Sequence, residues 1–487
     1  MSGLLTPVEP VPVAELGRVH LIGVGGAGMS GIARILLARG VSVSGSDAMD
    51  SAVLAELRAL GATVHVGHAA GHLGDATTVV VSSAVRETNP EFAEARRRGL
   101  RVLPRAAALA SVMAGRRGIA VAGTHGKTTT TSMLTVVLQH LGADPSFAIG
   151  GQLTGSGAYA HEGGGEIFVA EADESDGSFL MLSPDVAVVT NVEADHLDNY
   201  GTAEAVHGAF ERFVDRVRPG GRLVACADDP GARALAERAR RAGLGVRTYG
   251  ESVDADVQIR GFQARGLGSA FEVLDLAAGD PDGFGLGSLE LRVPGRHNAL
   301  NATAALTAAL DLGFGFEPIR ASLAGFAGTH RRFELLGEAA GVRVFDSYAH
   351  HPTELAADLR TAREVARGGR VVAAFQPHLY SRTRFFAKEF GEALGLADDA
   401  VVLEVYAARE DPEPGVTGEL VAEAVPLPAP HVTYQPVWRD VPKVLADRAK
   451  PGDIVLLLGA GDITLLGPAL VEELRGRSAA VGRPVGE

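Results

Sequence analysis

The stretch with the clearest chemistry is GTHGKTTT, residues 123–130, which follows the apolar strand GIAVA and precedes an apolar helix. Successive backbone N–H groups in such a turn can surround phosphates, and Lys127 can neutralise the β- and γ-phosphates of a nucleotide. The hydroxyl of Thr128 can bind Mg²⁺. The loop is shorter than G-x-x-x-x-G-K-[ST], because Val121 stands where the first glycine would be. We interpret it as an ATP-binding loop, since a threonine-rich helix cap would leave the lysine unexplained.

A second glycine turn, nearer the N-terminus, combines Gly23, Gly25 and Gly28 in the pattern G-x-G-x-x-G between a strand and a helix. This spacing lets backbone N–H groups approach a pyrophosphate at the helix N-terminus. Asp47 ends the next strand, where a dinucleotide enzyme places its ribose-binding acid. The turn alone is compatible with NAD or with a glycine turn needed only for packing. The extra Gly26 favours a nucleotide diphosphate other than NAD.

Acidic residues follow two later strands of the same region. Glu171 ends the strand of EIFVAEADESD and can bind Mg²⁺, while Asp173 and Glu174 add negative potential. His196, in NVEADHLD, is either a further metal ligand or a hydrogen-bonded loop histidine. The alternative for the acidic segment is an exposed loop without a metal.

Two further segments carry candidate nucleotide contacts. His297 and Asn298 lie at the start of a predicted helix and could contact adenine, or Asn298 could simply cap that helix. Arg331 and Arg332 lie near a predicted domain boundary, where an arginine can reach a γ-phosphate. A solvated basic pair is the other interpretation of these two arginines.

Strands and helices alternate along the chain, which predicts α/β domains with mostly parallel sheets. Composition shifts and glycine turns divide the chain into three domains, residues 1–115, 116–329 and 330–487. A Gly-rich, alternating stretch from 251 to 293 predicts short antiparallel strands. In the third domain each strand ends in polar or glycine-rich residues, as in VRVFDSYAHHPTEL and DIVLLLGAGDI. Functional side chains are expected in these strand-end loops.

Composition narrows the classes of partner. The 487 residues carry a formal net charge of −14, which disfavours sequence-independent nucleic-acid binding and membrane binding. The single cysteine, Cys226, allows no intramolecular disulfide and fits a reducing compartment. With no signal-peptide pattern and no apolar run of about 20 residues, we expect a cytoplasmic protein.

The ordered set of motifs GVGGAGMSG, GTHGKTTT, EADESD, NVEADHLD, GRHNALNA, DSYAHHPTE, QPHLYSRT, PGVTGE and GAGDI resembles the Mur ligases. The resemblance covers residues 18 to 465 and implies a Rossmann-like UDP-sugar domain, a P-loop ATPase-like domain and a Rossmann-like amino-acid domain. The motif set is most similar to the branch that joins L-alanine to UDP-N-acetylmuramate with ATP and Mg²⁺, through an acyl phosphate. That branch also lacks a lysine shortly after the DHLD motif, as this sequence does. A monomer or a homodimer is expected.

The resemblance also implies roles for individual residues. UDP-sugar contacts are implied for Gly25, Gly26, Gly28, Met29, Ser30, Asp47 and Ser83. ATP contacts are implied for Gly123, Thr124, His125, Gly126, Lys127, Thr128, Thr129, His297, Asn298, Arg332 and Asp346. Metal contacts are implied for Thr128, Glu171 and His196, amino-acid contacts for Tyr348 and His378, and catalytic roles for Lys127, His350, His351, His378 and Arg382. Any of the three histidines could assist deprotonation of the incoming amine.

Three alternatives remain open from the sequence. A sibling ligase would add a preformed peptide to the same sugar nucleotide by the same phosphate chemistry. An NAD-dependent dehydrogenase would use the first glycine turn, although GTHGKTTT argues against it. A non-catalytic nucleotide switch would not need the His- and Tyr-rich strand ends of DSYAHHPTE and QPHLYSRT.

Overall fold

The computed structural model describes residues 8–82, 85–154, 156–276, 284–408 and 410–481. The chain forms two compact units. The first comprises Met1–Gly261, Phe271–Glu290 and Leu300–Phe326, and the second comprises Phe262–Ala270, Leu291–Ala299 and Ala327–Glu487. Three β-sheets, of five, ten and six strands, carry the fold.

The five-stranded sheet is wholly parallel and has the order β3-β2-β1-β4-β5. Its strands are β1 (Val19–Ile22), β2 (Val43–Asp47), β3 (Thr63–Val66), β4 (Thr78–Val81) and β5 (Arg101–Pro104). Its helices are α1 (Ala27–Ala38), α2 (Ala52–Ala59), α3 (Pro90–Arg97) and α4 (Arg105–Met113). All four residues of β1 are buried, as a central parallel strand requires. The strand order reverses beside β1, so a ligand crevice is expected where β1 meets α1.

The ten-stranded sheet has the order β15-β14-β13-β12-β11-β10-β6-β9-β7-β8. Its strands are β6 (Arg117–Ala122), β7 (Ser146–Ala148), β8 (Ala160–His161), β9 (Ile167–Glu171), β10 (Val186–Val189), β11 (Arg222–Cys226), β12 (Gly245–Gly250), β13 (Val257–Arg265), β14 (Gly268–Asp275) and β15 (Phe284–Leu291). The accompanying helices are α5 (Lys127–His140), α6 (Leu197–Tyr200), α7 (Ala203–Val214), α8 (Pro230–Arg241), α9 (Arg296–Asp311) and α10 (Phe316–Ala324). Strand β6 lies between β9 and β10 and is parallel to both, so the loops after these three strands lie side by side.

The six-stranded sheet has the order β16-β17-β21-β18-β19-β20 and is parallel except for the β16–β17 pair. Its strands are β16 (Glu334–Ala339), β17 (Val342–Ser347), β18 (Val371–Phe375), β19 (Asp399–Leu403), β20 (Val432–Gln435) and β21 (Ile454–Leu458). Its helices are α11 (Pro352–Ala366), α12 (Tyr380–Leu394), α13 (Gly418–Ala424), α14 (Val441–Arg448) and α15 (Leu466–Val481). Successive residues of β21 enter two different hydrophobic clusters, because neighbouring side chains of a strand point to opposite faces. Helices therefore cover both faces of this sheet.

The predicted fold class, α/β with mostly parallel sheets, is confirmed. The exact domain limits 1–115, 116–329 and 330–487 stay predictions. Among the described residues no helix is both long enough and apolar enough to span a bilayer. One detail differs from the sequence interpretation, since α5 begins at Lys127 and includes the threonine run instead of starting after it. The threonines fit because they are buried and Thr131 returns its hydroxyl to the Lys127 carbonyl, 2.8 Å away.

Candidate active site

The loop between β6 and α5, residues 123–126, has a fixed shape. Gly123 and Gly126 have φ angles of +140° and +79°, a region that L-amino acids with a side chain rarely adopt. The backbone N–H of Thr124 donates to the Asn191 carbonyl at 3.1 Å, and that of His125 donates to the Asn191 side-chain oxygen at 2.7 Å. Asn191 directly follows β10 and was not predicted as a site residue. Its position at the end of the apolar strand VAVVT was the available signal.

Lys127 folds back over this loop. Its Nζ donates to the Gly123 carbonyl at 2.6 Å, to the Thr124 carbonyl at 3.0 Å and to Glu174 Oε1 at 2.8 Å. Burial alone would lower the pKa of Lys127, but the carboxylates of Glu174, Glu171 and Asp173 outweigh it and raise that pKa. Burial raises the pKa of Glu174 to about 7, against the opposing pull of Lys127. The ammonium therefore stays charged at the mouth of the loop, with Glu174 as its counter-charge.

Thr128, in the first turn of α5, meets Glu171, the last residue of β9. The Thr128 hydroxyl donates to Glu171 Oε1 at 2.9 Å, and the backbone N–H of Gly150 donates to Glu171 Oε2 at 2.6 Å. A hydroxyl and a carboxylate this close are oxygen ligands of the kind that Mg²⁺ prefers. These two residues therefore fit a magnesium site beside the phosphate loop.

His196 has a φ of +54° and lies between two carboxylates. Its Nε2 is 3.5 Å from Asp195 Oδ2 and 3.8 Å from Glu174 Oε1. Through Glu174 it belongs to the same charged cluster as Lys127. The predicted nucleotide loop, its acidic partners and this histidine thus form one site in the first compact unit.

The first glycine turn, residues 23–28, is held by the neighbouring strand. The Gly25 N–H donates to Asp47 Oδ2 at 2.9 Å, so this carboxylate fixes the turn itself. The guanidinium of Arg105 lies beside Gly28, where an added Cβ would meet its Nη1 at 2.9 Å, and Nη2 donates to Asp173 at 3.0 Å. Arg105 was not predicted, although its place at the junction of β5 and α4 was a signal. A cation beside an α-helix N-terminus suits a diphosphate.

The other residues predicted for the UDP-sugar lie around the start of α1. Ser30 shares a hydrogen bond of 2.8 Å with the Tyr159 hydroxyl, and Met29 is buried. Gly26 caps the helix N-terminus. Ser83 lies outside the described residues. Tyr159, which the sequence analysis missed, links α1 to the segment after β7.

A cavity of about 140 Å³ lies between the first glycine turn and Glu171. Its lining residues include Gly28, Ile32, Arg105, Tyr159, Glu171 and Asp173. The Arg105 guanidinium and the carboxylates of Asp173 and Glu171 all line this space, and Arg105 is hydrogen-bonded to Asp173. The cavity thus joins the first glycine turn to Glu171 within the first unit.

The second compact unit carries another cluster at the carboxyl end of β17. Asp346 is fully buried, and its Oδ2 accepts hydrogen bonds from Thr464 Oγ1 at 2.7 Å and from Arg331 Nε at 3.2 Å. Burial raises the pKa of Asp346, and these two donors only partly offset that effect. Arg331 also donates to the Gly459 carbonyl at 2.6 Å. Arg331 therefore has a structural role in bracing β17 against β21.

Aromatic and imidazole rings continue from this cluster toward β18. The Arg331 and Arg332 guanidiniums lie 5.0 and 5.2 Å from the Tyr348 ring centroid. Tyr348 contacts His350 at 5.3 Å, and His350 contacts His378 at 6.0 Å between centroids. The structure thus brings Tyr348, His350 and His378 together, although Tyr348 and His378 are 30 positions apart in the sequence.

His350 has a defined tautomer in this arrangement. Its Nδ1 lies 3.0 Å from the Tyr348 carbonyl and 3.3 Å from Glu354 Oε2, and both partners can only accept. The neutral ring therefore carries its proton on Nδ1.

Four other predicted residues of the second unit make contacts of their own. His351 accepts the Thr353 N–H at 3.4 Å as the N-cap of α11, and its ring packs on Phe386 at 5.1 Å. Arg382 lies buried in the first turn of α12. Asn298 donates to the Pro294 carbonyl at 2.7 Å, and burial lowers the pKa of His297 to about 4.

Three comparisons with known protein families match consecutive parts of the chain. Residues 18–117 match the Mur ligase family catalytic domain, residues 121–309 match the Mur ligase middle domain, and residues 331–461 match the Mur ligase glutamate ligase domain. Together they span all three sheets.

Whole proteins of high similarity carry one description. A UDP-N-acetylmuramate–L-alanine ligase of Acidothermus cellulolyticus is 60% identical over 470 residues, 96% of this chain and 97% of that protein. The protein of that name from Thermobifida fusca is 60% identical over 479 residues, 97% of this chain and 99% of that protein. Among solved structures, a UDP-N-acetylmuramate–alanine ligase from Thermotoga maritima has a TM-score of 0.77 at 30% identity, covering 95% of this chain and 99% of that one. A murein peptide ligase from Psychrobacter arcticus has a TM-score of 0.67 at 26% identity, covering 94% and 99%.

Proposed function

The chain belongs to the Mur ligase family, and we propose that it joins L-alanine to the carboxylate of UDP-N-acetylmuramate, with conversion of ATP to ADP and phosphate. The observation that carries this proposal is the placement of two neighbouring residues of α5: Lys127 is held by Glu174, and Thr128 is hydrogen-bonded to Glu171, which lines the cavity beside the first glycine turn. That arrangement suits a phosphorylated sugar whose far end meets a nucleotide.

The first step we assign is phosphoryl transfer. A carboxylate oxygen of the sugar attacks the γ-phosphorus of ATP, the bond to the ADP oxygen breaks, and an acyl phosphate forms. Lys127 donates to the terminal phosphate oxygens in place of the carbonyls that it contacts in the ligand-free loop. Mg²⁺, held by Thr128 and Glu171, would supply further positive charge to those oxygens.

The sugar nucleotide is assigned to the first glycine turn. Gly25, Gly26 and Gly28 carry no side chain that would keep a diphosphate from the α1 N-terminus, and Arg105 adds a cation there. Met29, Ser30 and Asp47 shape this end of the site, as proposed from the family resemblance. The acidic residues around Glu171 then mark the end of the cavity where the chemistry takes place.

In the second step the amine of L-alanine attacks the acyl carbon and expels inorganic phosphate. The amine must first lose its ammonium proton, and we assign its acceptance to His350, whose ring contacts the proposed amino-acid contacts Tyr348 and His378. Tyr348, His378 and Arg382 are proposed to position the amino acid. Asp346, Asn298, His297 and Arg332 remain the proposed nucleotide contacts of the second unit.

The test is inorganic phosphate release with UDP-N-acetylmuramate, ATP and Mg²⁺, and with either L-alanine or a preformed peptide as acceptor. We expect release that requires both the sugar nucleotide and L-alanine, with the peptide at background. Release with the peptide alone would instead support a sibling ligase, like the murein peptide ligase described above. Release with no added acceptor would contradict ligation altogether.

A further inference from the structure

A second cavity, of about 280 Å³, lies entirely within the second compact unit at the carboxyl edge of the six-stranded sheet. Residues at the ends of four parallel strands line it, namely Gln376, Glu404, Gln435 and Asp462, together with Tyr406 and Trp438. The chain leaves β18 toward α12 on one face and leaves β21 toward α15 on the other. Ligands of open α/β sheets bind at such a reversal. The proposed reaction leaves this cavity unassigned.

The cavity has a negative lining. Asp462 Oδ1 accepts a hydrogen bond from Gln376 Nε2 at 2.8 Å, while Oδ2 takes part in none within the described part of the chain. Glu404 Oε1 accepts the N–H groups of Val405 and Gly418 at 2.8 and 3.1 Å. Among the described lining residues there is no lysine, arginine or histidine. Glu404 Oε2 also accepts the Tyr434 hydroxyl, so Asp462 is the main carboxylate that favours a cationic occupant.

Two aromatic side chains narrow the kind of cation. Tyr406 and Trp438 both line the cavity, and aromatic faces attract ammonium groups by about 0.5–2 kcal/mol, more strongly when the site is desolvated. The volume lies just below the roughly 300–1,000 Å³ of sites for drug-sized ligands, so the occupant is small. We propose that this cavity binds the primary ammonium group of a small aliphatic amine, with Asp462 as its main hydrogen-bond acceptor.

The occupant would lie one ring away from a proposed amino-acid contact. Tyr406 stacks on His378 with ring centroids 5.7 Å apart and an interplanar angle of 15°. The backbone N–H of Tyr406 donates to Pro377 at 2.8 Å, and that of Leu379 donates to the Tyr406 carbonyl at 2.9 Å. These bonds fix Tyr406 beside His378, so an ammonium group bound against the other side of Tyr406 would place a positive charge one ring away from His378. This consequence rests on the proposed function, whereas binding itself does not.

Trp438 is the only tryptophan of the chain and provides a direct reporter. The experiment titrates the full chain, without ATP or sugar nucleotide, with n-propylammonium chloride at constant ionic strength. We expect a saturable change in tryptophan emission, and no saturable change with propan-1-ol or sodium propionate. A response of the same size to all three compounds, or none to the ammonium, would overturn the proposal.

Substitutions in the cavity test whether the change in tryptophan emission arises from binding there. Asp462→Asn should weaken n-propylammonium binding at least tenfold, and Glu404→Gln should weaken it less because Glu404 is also held by backbone donors. Asp440→Asn is the matched control, since Asp440 is exposed and close to Trp438 in sequence but does not line the cavity. Equal affinities in the wild type and in both cavity variants, with unchanged melting temperatures, would contradict the site.

Competition with L-alanine distinguishes a separate amine site from the subsite of the amino-acid substrate. If L-alanine displaces n-propylammonium competitively at the concentration that supports ligation, the cavity is the substrate's own subsite and a separate amine site is wrong. If ligation fails while the emission change and its Asp462 dependence persist, the proposed function is wrong and the amine site stands.

Discussion

The two glycine turns of the first compact unit are built alike and charged differently. Each follows a buried parallel strand, each precedes a helix, and each is fixed by a polar side chain from a neighbouring strand end, Asp47 in one and Asn191 in the other. The first turn has Arg105 beside it, in contact with a partly exposed carboxylate. The second turn contains a buried ammonium, Lys127, paired with a buried carboxylate. The same backbone arrangement is thus combined with two different sets of charged side chains.

We relate this difference between the two turns to the amount of negative charge that each must stabilise. Backbone N–H groups and a helix dipole stabilise a bound anion by about 0.3–1 kcal/mol at an exposed site, which is enough to position a diphosphate that does not react. Phosphoryl transfer redistributes charge over several oxygens during the reaction, and a fixed full charge in a water-poor site stabilises it far more. We therefore propose that the first turn binds the diphosphate of the sugar nucleotide and that the second turn stabilises phosphoryl transfer.

The largest expected effect is on the second turn. Lys127→Met keeps most of the side-chain length and removes the charge, so phosphate release should fall about 10³-fold or more. The affinity for UDP-N-acetylmuramate, measured by calorimetry without ATP, should change little, because the first turn is intact. A loss of both phosphate release and affinity for UDP-N-acetylmuramate would contradict the separate roles proposed for the two turns.

Two controls accompany this variant. Lys388→Met removes an exposed lysine of α12, 82% of whose side chain is accessible, and should leave phosphate release unchanged. Lys127→Met combined with Glu174→Gln removes the buried carboxylate that the single variant leaves without its cation. If the double variant is as stable as the wild type and still inactive, the loss of activity is not a folding defect.

Adding one methyl group to each turn should produce an intermediate and selective effect. Gly126→Ala forces alanine into a φ of +79°, at a cost of about 1–2 kcal/mol, and places its Cβ 2.5 Å from Asn301 Oδ1. Gly28→Ala meets only the flexible end of Arg105 at 2.9 Å, which can move. We expect Gly126→Ala to raise the KM for ATP roughly tenfold and Gly28→Ala to raise only the KM for UDP-N-acetylmuramate.

The readouts are both KM values and the melting temperature of each variant. Gly208→Ala is a suitable control, because Gly208 lies within α7 and an added Cβ there meets nothing within 4 Å. A rise in both KM values for either variant would show that the two turns respond as one site.

The two turns also differ from the second unit in how far the sequence could predict them. Gly126, Lys127 and Thr128 are consecutive, and a βα turn brings consecutive backbone groups to one point, so local pattern was sufficient. The same holds for Gly25 and Gly28. The parallel α/β sheets were predictable for a similar reason, since buried strands such as β1 and β21 are continuous apolar runs.

Residues that act from other strands were not predictable in this way. Asn191 and Arg105 reach the turns only because β10 and β5 occupy particular places in their sheets. For the same reason the sequence could not distinguish among His350, His351 and His378. In the structure His351 caps α11, whereas the rings of His350 and His378 lie against one another, 6.0 Å apart between centroids. Sheet order, which arises from long-range packing, supplies this information.

The smallest expected effect is a pH dependence that belongs to the second turn alone. Burial raises the pKa of Glu174 from its ordinary 4.5 to about 7. A carboxyl whose pKa is raised on folding contributes stability that is present below 4.5 and is lost as the pH rises through about 7. The raised pKa of Lys127 lies above 10.5, so its contribution stays constant over this range. Between pH 5 and 8 the wild type should therefore lose stability relative to Glu174→Gln.

The expected difference is roughly 2 kcal/mol, since the pKa of about 7 already includes the attraction of Lys127. Melting temperatures of the two proteins between pH 5 and 8 measure it, with Glu317→Gln, an exposed acid of α10, as the matched control. The gap between wild type and Glu174→Gln should widen in favour of the variant as the pH rises, while Glu317→Gln follows the wild type. A constant gap would mean that Glu174 is ionised throughout, so that the second turn, like the first, holds its charges without titrating.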